Sequence, residues 1–222
     1  MNAKRHMAAE VYSSVEDQSL IDKRRKQVVT AAACLFGRQG YHATTIKQIT
    51  EAAGISTGLI YLYVKNKEDV LFLVLKSLLD LYCSEIPKAA IGIENPVLRF
   101  CAVLRAYCRV VGNNMDATRL AYRETVSLST PRKRAIMEME LSTNKLITDS
   151  IQQCIDAGYF RPVDPEIAAY RIVLLAHGWS LKSWRLKRLT TLESYIEEGL
   201  AASLNSLLTE KGYHYYQDSE SA

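Results

Sequence analysis

Apolar residues recur three and four positions apart along almost the whole chain, and strict alternation is absent over any useful length, so the pattern predicts helices and no sheet. A first helix is expected over about Ser19–Arg38, with Val28, Val29, Ala32, Leu35 and Phe36 as its apolar stripe. Gly40 ends it, and Thr44 or Thr45 caps a short helix over Ile46–Ala53. Gly54 makes a turn, and Ser56 caps another short helix through Tyr63. Asn66 then opens a longer helix over about Lys67–Glu85, with Glu68 and Asp69 suited to its positive N-terminal end. A loop is expected over Pro87–Asn95. Helices follow at about Pro96–Gly112, Asp116–Leu128, Pro131–Ala157, Pro165–Arg185 and Leu192–Leu208. The expected fold class is all-α with about nine helices. Neither the first 16 or so residues nor the tail "KGYHYYQDSESA" shows a periodic apolar face, and both are expected to be mobile.

Composition narrows the class. The chain has 222 residues, nearly half of them apolar, which is enough for a sizeable core. It has no run of about 18 apolar residues, so no membrane span is expected. "MNAKRHMAAEVYSSVEDQ" lacks the apolar stretch of a secretory signal. The five cysteines are an odd number and form no Cys-x-x-Cys pair, which argues against a disulfide or metal framework and fits a reducing cytoplasm. Each falls in an apolar stripe and reads as a small buried hydrophobe. Between Asp17 and Lys67 there are eight basic and three acidic residues, a local charge of +5 against +4 for the whole chain. A polyanion partner for that end is the simplest reading, although a solvated basic face has the same count.

The stretch "GISTGLIYLYVKNKE" from Gly54 shows what that end does. Glycine costs a helix roughly 1 kcal/mol against alanine, yet Gly58 lies in the first turn of a predicted helix. Two short helices around a glycine turn, with Ile49, Ala53, Ile55, Ile60 and Tyr63 or Val64 facing inward, make a helix-turn-helix. The second helix of such a unit enters the major groove, where a residue without Cβ lets the backbone approach closely. Ser56 and Thr57 supply short donors and acceptors beside Gly58. Tyr61 and Tyr63 can reach phosphate or a thymine methyl, and Lys67 can pair with phosphate. A helical hairpin with exposed tyrosines is the alternative, and the concentrated charge disfavours it.

"TTIKQITEAAGISTGLIYLYVKNKEDVL", preceded by "AAACLFGRQGYHA", resembles the TetR family of bacterial transcriptional regulators over about residues 22–72. The likeness rests on Phe-x-x-x-Gly-Tyr-x-x-Thr-Thr at Phe36–Thr45, on Gly-x-x-x-Gly-x-x-Tyr-x-Tyr from Gly54 and on Lys-x-Lys-Glu from Lys65. The resemblance implies DNA contacts at Thr45, Ser56, Thr57, Gly58, Tyr61, Tyr63 and Lys67, with Lys47 on the preceding helix as a further candidate. Thr50 departs from the usual alanine and is expected to crowd the helix crossing slightly. Val64 departs from the usual phenylalanine and leaves a smaller plug. The resulting division is a mobile arm over 1–18, a helix-turn-helix domain over 19–66, a ligand-binding and dimerisation domain over 67–209 and a mobile tail over 210–222.

"LAYRETVSL", "IDAGYFRPVDPEIAAYRIV" and "HGWSLKSWRLKRLTTLESYIEEGLAASLNSLL" look most like the branch containing fatty-acid and aromatic-acid regulators, many of which sense acyl-CoA thioesters. The resemblance implies a six-helix effector domain. An acyl tunnel is expected among Phe100, Leu104, Tyr107, Tyr122, Ile147 and Leu174, with phosphates met by Arg105, Arg109 and Arg123. His177, inside an apolar run, is a candidate lining residue and also suits a satisfied core histidine. The predicted helix from Pro165 is apolar over most of its circumference, more than one buried face can hide. With the last helix it suits a four-helix bundle between two subunits, through Leu181, Trp184, Ile196, Leu200, Leu204 and Leu207. Two central helices of a monomer core are the alternative.

The expected function is a homodimeric regulator, read as a repressor, that binds a palindromic DNA operator and is released by a small effector, an acyl-CoA thioester by the resemblance. Rivals are the same fold controlled by DNA or a protein partner, and a drug-efflux repressor sensing hydrophobic compounds. No cofactor, metal or catalytic residue is expected, because the four histidines are scattered and no paired-carboxylate or His-x-x-x-His motif occurs.

Overall fold

Capping residues divide the chain into helices largely where the sequence marks them. A computed structural model describes residues 11–220. Among these, eleven α-helices and one 3-10 turn occur, nine of the helices being seven residues or longer. They are α1 (Gln18–Gln39), α2 (Ile46–Ala53), α3 (Thr57–Ile60), α4 (Lys67–Ala89), α5 (Pro96–Asn113), α6 (Met115–Glu124), α7 (Thr130–Asp156), α8 (Pro165–Leu181), α9 (Ser183–Leu186), α10 (Leu192–Leu207) and α11 (Glu210–Glu220). No helix among the described residues is long and apolar enough to cross a membrane.

Asp17, Asn95, Asp164 and Thr191 each accept backbone amides of the turn they open, satisfying donors a helix start leaves free. The chain packs as two units, one of residues 11–79 with Asp116–Met139, the other of Asp80–Met115 with residues 140–220. Helices α4 and α7 each contribute to both. The first unit closes over Val28, Ala32, Phe36, Ile49, Ile60, Val64, Leu71 and Leu120. Residues 11–17, expected to be mobile, are tied down at buried Val11 and at Ser14, whose N–H donates to Leu62 O at 2.9 Å. Residues 1–10 of that arm, with His6, and residues 221–222 of the tail lie outside the described residues.

In the second unit α5 and α10 run antiparallel. Arg105 pairs with Glu197 at 2.7 Å and, one turn along, Arg109 pairs with Glu193 at 2.8 Å. Leu192 fills the space at Gly112, and Leu175 of α8 fills the space at Gly199 of α10, so the missing side chains set how closely these helices approach. The interior contains Phe100 edge-on to Phe160 at 5.1 Å, with Leu104, Ile147 and Ile151 buried in the same unit. Tyr82 stacks on Tyr107 at 4.9 Å, and the Tyr107 hydroxyl lies 3.0 Å from His177 Nε2.

Several expectations change. Helix α4 continues past Glu85 with Pro87 in its last turn, where losing one ladder bond is tolerable and buried Ile86 holds the turn in the core. The helix expected over Pro165–Arg185 breaks at Lys182, whose backbone leaves the helical region. Residues 210–220, expected to be a mobile tail, form α11, in which Tyr215 stacks on Tyr159 at 4.3 Å and Lys211 Nζ donates to the Ala157 carbonyl. Cys34 and Cys83 are exposed rather than buried. Cys108 and Cys154 are buried, which pushes their thiols up to about 12. Ile196, Leu200, Leu204 and Leu207 were expected between subunits; they are buried inside the protomer, Leu200 at 2% exposure, because the apolar stripe of α10 faces its own bundle.

Burial pushes His177 down to about 4 from its ordinary 6.5, so the imidazole is neutral in the native state at neutral pH. Between those two values the unfolded chain binds a proton that the folded chain does not. Stability is therefore complete above about pH 6.5 and falls as pH drops towards 4, with a slope of about one proton from this residue. Urea unfolding across that range should show this slope, and His177→Gln should lack it; a wild-type slope in the variant would remove His177 as its source.

Candidate functional site

The helix-turn-helix is built from local signals. The Thr45 hydroxyl accepts Gln48 N–H while Gln48 Oε1 accepts Thr45 N–H, a reciprocal capping box that starts α2. Gly54 adopts φ +66°, the left-handed geometry that closes α2 and returns the chain into Ser56. Ser56 Oγ accepts Leu59 N–H to open α3. Thr50 does not crowd the crossing as expected. It is buried, its hydroxyl donates to Lys47 O at 2.8 Å, and it lies 3.2 Å from Thr57 Oγ1, tying α2 to α3. Val64, smaller than the family residue, is fully buried in the core.

Six of the expected DNA contacts are exposed on this pair of helices: Thr45, Lys47, Ser56, Thr57, Gly58 and Tyr61. Lys47 keeps only a loose approach to Glu51, at 4.0 Å. A Cβ at Gly58 would meet nothing within 4 Å, so no packing inside the protein explains a glycine there. The glycine leaves its backbone open to approach from outside, at the cost to helix stability that glycine brings.

Two expected contacts have other employment. Tyr63 is 2% exposed and belongs to the core, which takes its ring away from solvent. Lys67 Nζ donates to the carbonyls of Tyr41, His42 and Thr44 at 3.0, 3.2 and 2.9 Å, and sits 4.5 Å from the centre of the Tyr41 ring. An ammonium has three protons, and all three are taken. Lys67 thus fixes the loop that delivers Thr45 to the surface. Two supporting residues were not foreseen. Arg25 donates to Val11, Tyr12 and Tyr63 carbonyls, and Lys65 lies 4.6 Å from the Tyr12 ring centre. Gln48 was legible in the Thr-x-x-Gln spacing; the role of Arg25 had no local signal.

The effector residues separate similarly. Phe100, Leu104, Tyr107, Ile147 and His177 share the second unit and are all buried. Leu174 is exposed and faces away from that interior. Tyr122 and Arg123 belong to the first unit; Tyr122 is half exposed, and Arg123 donates to Glu124 at 2.9 Å. Arg105 and Arg109 each spend two nitrogens on a glutamate, and those hydrogen bonds hold Glu197 and Glu193 below the usual carboxylate range. The anion site expected at these three arginines is therefore not present as a set of open cations.

Tyr61→Ala should weaken operator binding with thermal unfolding unchanged. Lys67→Met should also weaken it but leave the salt dependence at the wild-type slope, because its protons hold carbonyls rather than phosphate. Titrations of a selected operator at several salt concentrations test both. A slope shallower by about one unit in Lys67→Met would return that lysine to the DNA.

The first helices match the family model for bacterial regulatory proteins, tetR family, over residues 28–74, and a tetracyclin repressor-like C-terminal domain matches over 94–184. The chain is 46% identical over 205 residues to the HTH-type transcriptional regulator HbdR of Aromatoleum sp. (strain CIB), covering 92% of this chain and 90% of HbdR. It shares its fold with a bacterial regulatory protein of the tetR family from Rhodococcus RHA1, with TM-score 0.75, 24% identity and coverage of 85% and 99%. It also shares it with AibR, solved in complex with isovaleryl coenzyme A and operator DNA, with TM-score 0.68, 22% identity and coverage of 81% and 97%. With the exposed helix-turn-helix surface already described, these matches place the chain in the TetR family: it is a helix-turn-helix transcriptional regulator and not an enzyme.

Proposed function

We propose that this chain is a homodimeric repressor that leaves a palindromic operator when its second unit takes up an acyl-CoA thioester. The observation that carries the DNA half is Gly58, exposed, with nothing within 4 Å of where a Cβ would sit, between exposed Ser56, Thr57 and Tyr61 along the chain. The thioester half rests on the buried Phe100, Leu104, Tyr107, Ile147 and His177, on the sequence likeness to acyl-CoA-sensing regulators, and on AibR, whose same fold accepts isovaleryl coenzyme A. The acyl group is the part such an interior selects. Moving a two-state population from 1:99 to 99:1 takes about 5.5 kcal/mol of differential affinity. About seven methylenes at roughly 0.8 kcal/mol each supply that, provided only the released state accommodates them.

The subunit contact is assigned to the outer face of α8 and α10. Ile167, Leu174 and Leu181 recur every seven residues on α8 and are exposed, with Trp184 beyond them at 70% exposure. On α10 the facing positions are small, namely Ala202, Ser203 and Ser206, and they line a groove with Arg171 and Leu175. Large residues on one helix and small ones on the other suit close packing of two such pairs across a two-fold axis.

Leu174→Glu should therefore shift sedimentation at micromolar concentration from dimer to monomer without lowering helix content. Leu200→Glu, buried in the protomer, should instead unfold the chain. A wild type that sediments as a monomer would contradict the interface.

The effector reading is tested by operator release with straight-chain, branched and aromatic acids, their CoA thioesters and CoA alone. Release by one or more thioesters, and by neither CoA nor the free acid, is expected. Release by an uncharged hydrophobe with no response to any thioester would overturn the acyl-CoA assignment and point to a drug-responsive repressor.

A further inference from the structure

Residues 65–69 do more than start α4. Asp69 is 1% exposed, and its two oxygens hold different parts of the first unit. Oδ2 accepts the Lys65 amide at 2.5 Å, and Lys65 lies in the segment that leaves the recognition helix and its final turn. Oδ1 accepts Nη2 of Arg132, which belongs to the first turn of α7. The neighbouring Glu68 strengthens the same grip: its Oε1 accepts the Ser129 amide at 2.9 Å and lies 3.7 Å from Arg132 Nη1. The Arg132 guanidinium lies 5.6 Å from the centre of the Phe72 ring, and its side chain is only 14% exposed. One buried carboxylate thus joins the start of α7 to the backbone just beyond Val64.

Helix α7 is unbroken from Thr130 to Asp156; its residues up to Met139 pack in the first unit and those from Glu140 in the second. A continuous helix transmits displacement along its axis, because every turn is hydrogen-bonded to the next. At its first turn that displacement meets a charged hydrogen bond that tolerates little stretch. Asp69 either follows Arg132 or loses it, and both outcomes alter its hold on the Lys65 amide. A packed contact with two discrete arrangements is the kind of element that converts a small shift into a switch.

We propose that Arg132 is the positioning residue through which α7 governs the exit of the recognition helix, with Asp69 as the shared carboxylate. The inference rests on the effector-released reading above and names the side chains that would carry the signal. Arg132 touches neither DNA nor effector in this account. Its removal should spare effector binding and impair release.

The test uses the full chain as wild type, Arg132→Met and Arg132→Lys, with an operator duplex selected by the wild type from a random library. Calorimetry measures binding of isovaleryl-, octanoyl- and benzoyl-CoA to each protein without DNA, and fluorescence anisotropy measures release from the operator. All three proteins should bind a responsive thioester alike. Arg132→Met should need about ten-fold more of it to release DNA, a loss within the usual range of allosteric coupling. Arg132→Lys, which keeps a cation against Asp69, should stay close to wild type. A purely structural role would shift unfolding and both affinities together. Release of Arg132→Met at the wild-type thioester concentration, with binding intact, overturns the proposal. If no thioester binds the wild type, the effector reading fails instead, and hydrogen exchange decides the lock. The amides of residues 56–66 should exchange faster in Arg132→Met than in wild type while those of α10 do not change, and equal exchange throughout overturns it.

Discussion

A helix of one turn cannot hold its own geometry in water, because nucleating it fixes several residues for very few hydrogen bonds. The recognition helix α3 is such a helix, running only from Thr57 to Ile60. Its shape is imposed by its neighbours. Thr50 holds its start from α2. Ser14 and Arg25 take the Leu62 and Tyr63 carbonyls, and Asp69 takes the Lys65 amide. Ile60, Tyr63 and Val64 anchor it from beneath in the core. The surface left outward carries Thr45, Lys47, Ser56, Thr57 and Tyr61, with Gly58 among them, where a Cβ would meet nothing within 4 Å.

That dependence explains why Tyr63 is buried and Lys67 is bonded to the loop before α2. Both lie in the family motif, and both could reach DNA if the helix were free-standing. In the folded unit, Lys67 donates to three carbonyls of the loop before α2 and ties that loop to the start of α4. Tyr63 fills the core under a helix too short to cover it alone. The exposed candidates for DNA contact and the packed residues that hold them are interleaved in one short segment, and sequence spacing does not separate them.

The helix boundaries were legible wherever a cap marked them: Asp17, Thr45, Ser56, Asn95, Asp164 and Thr191 all open helices. The legible part of the site was the helix-turn-helix, whose turn glycine and capping residues are local. Long-range partners were not. Arg105 and Arg109 look like open cations because Glu197 and Glu193, at matching spacing, lie some ninety residues away on another helix. The stripe of α10 was visible, but periodicity gives a stripe without saying which neighbour it faces. On α8, apolar all round, it could not say that Ile167, Leu174 and Leu181 point outward while Ile172, Val173 and Trp179 point in. The tail helix α11 depends on contacts with Tyr159 and Ala157 that no local pattern announces.

The central claim is that the bare backbone at Gly58 is shaped for DNA while Tyr63 and Lys67 hold it there from behind. A crystal structure of the dimer on its operator tests this most directly. The account predicts the Gly58 backbone in van der Waals contact with the major groove, Tyr61 at the phosphates or a thymine methyl, the Tyr63 ring inside the protein and Lys67 on its three carbonyls. A structure with Gly58 facing solvent, or with the Tyr63 ring turned out onto a phosphate, would contradict it.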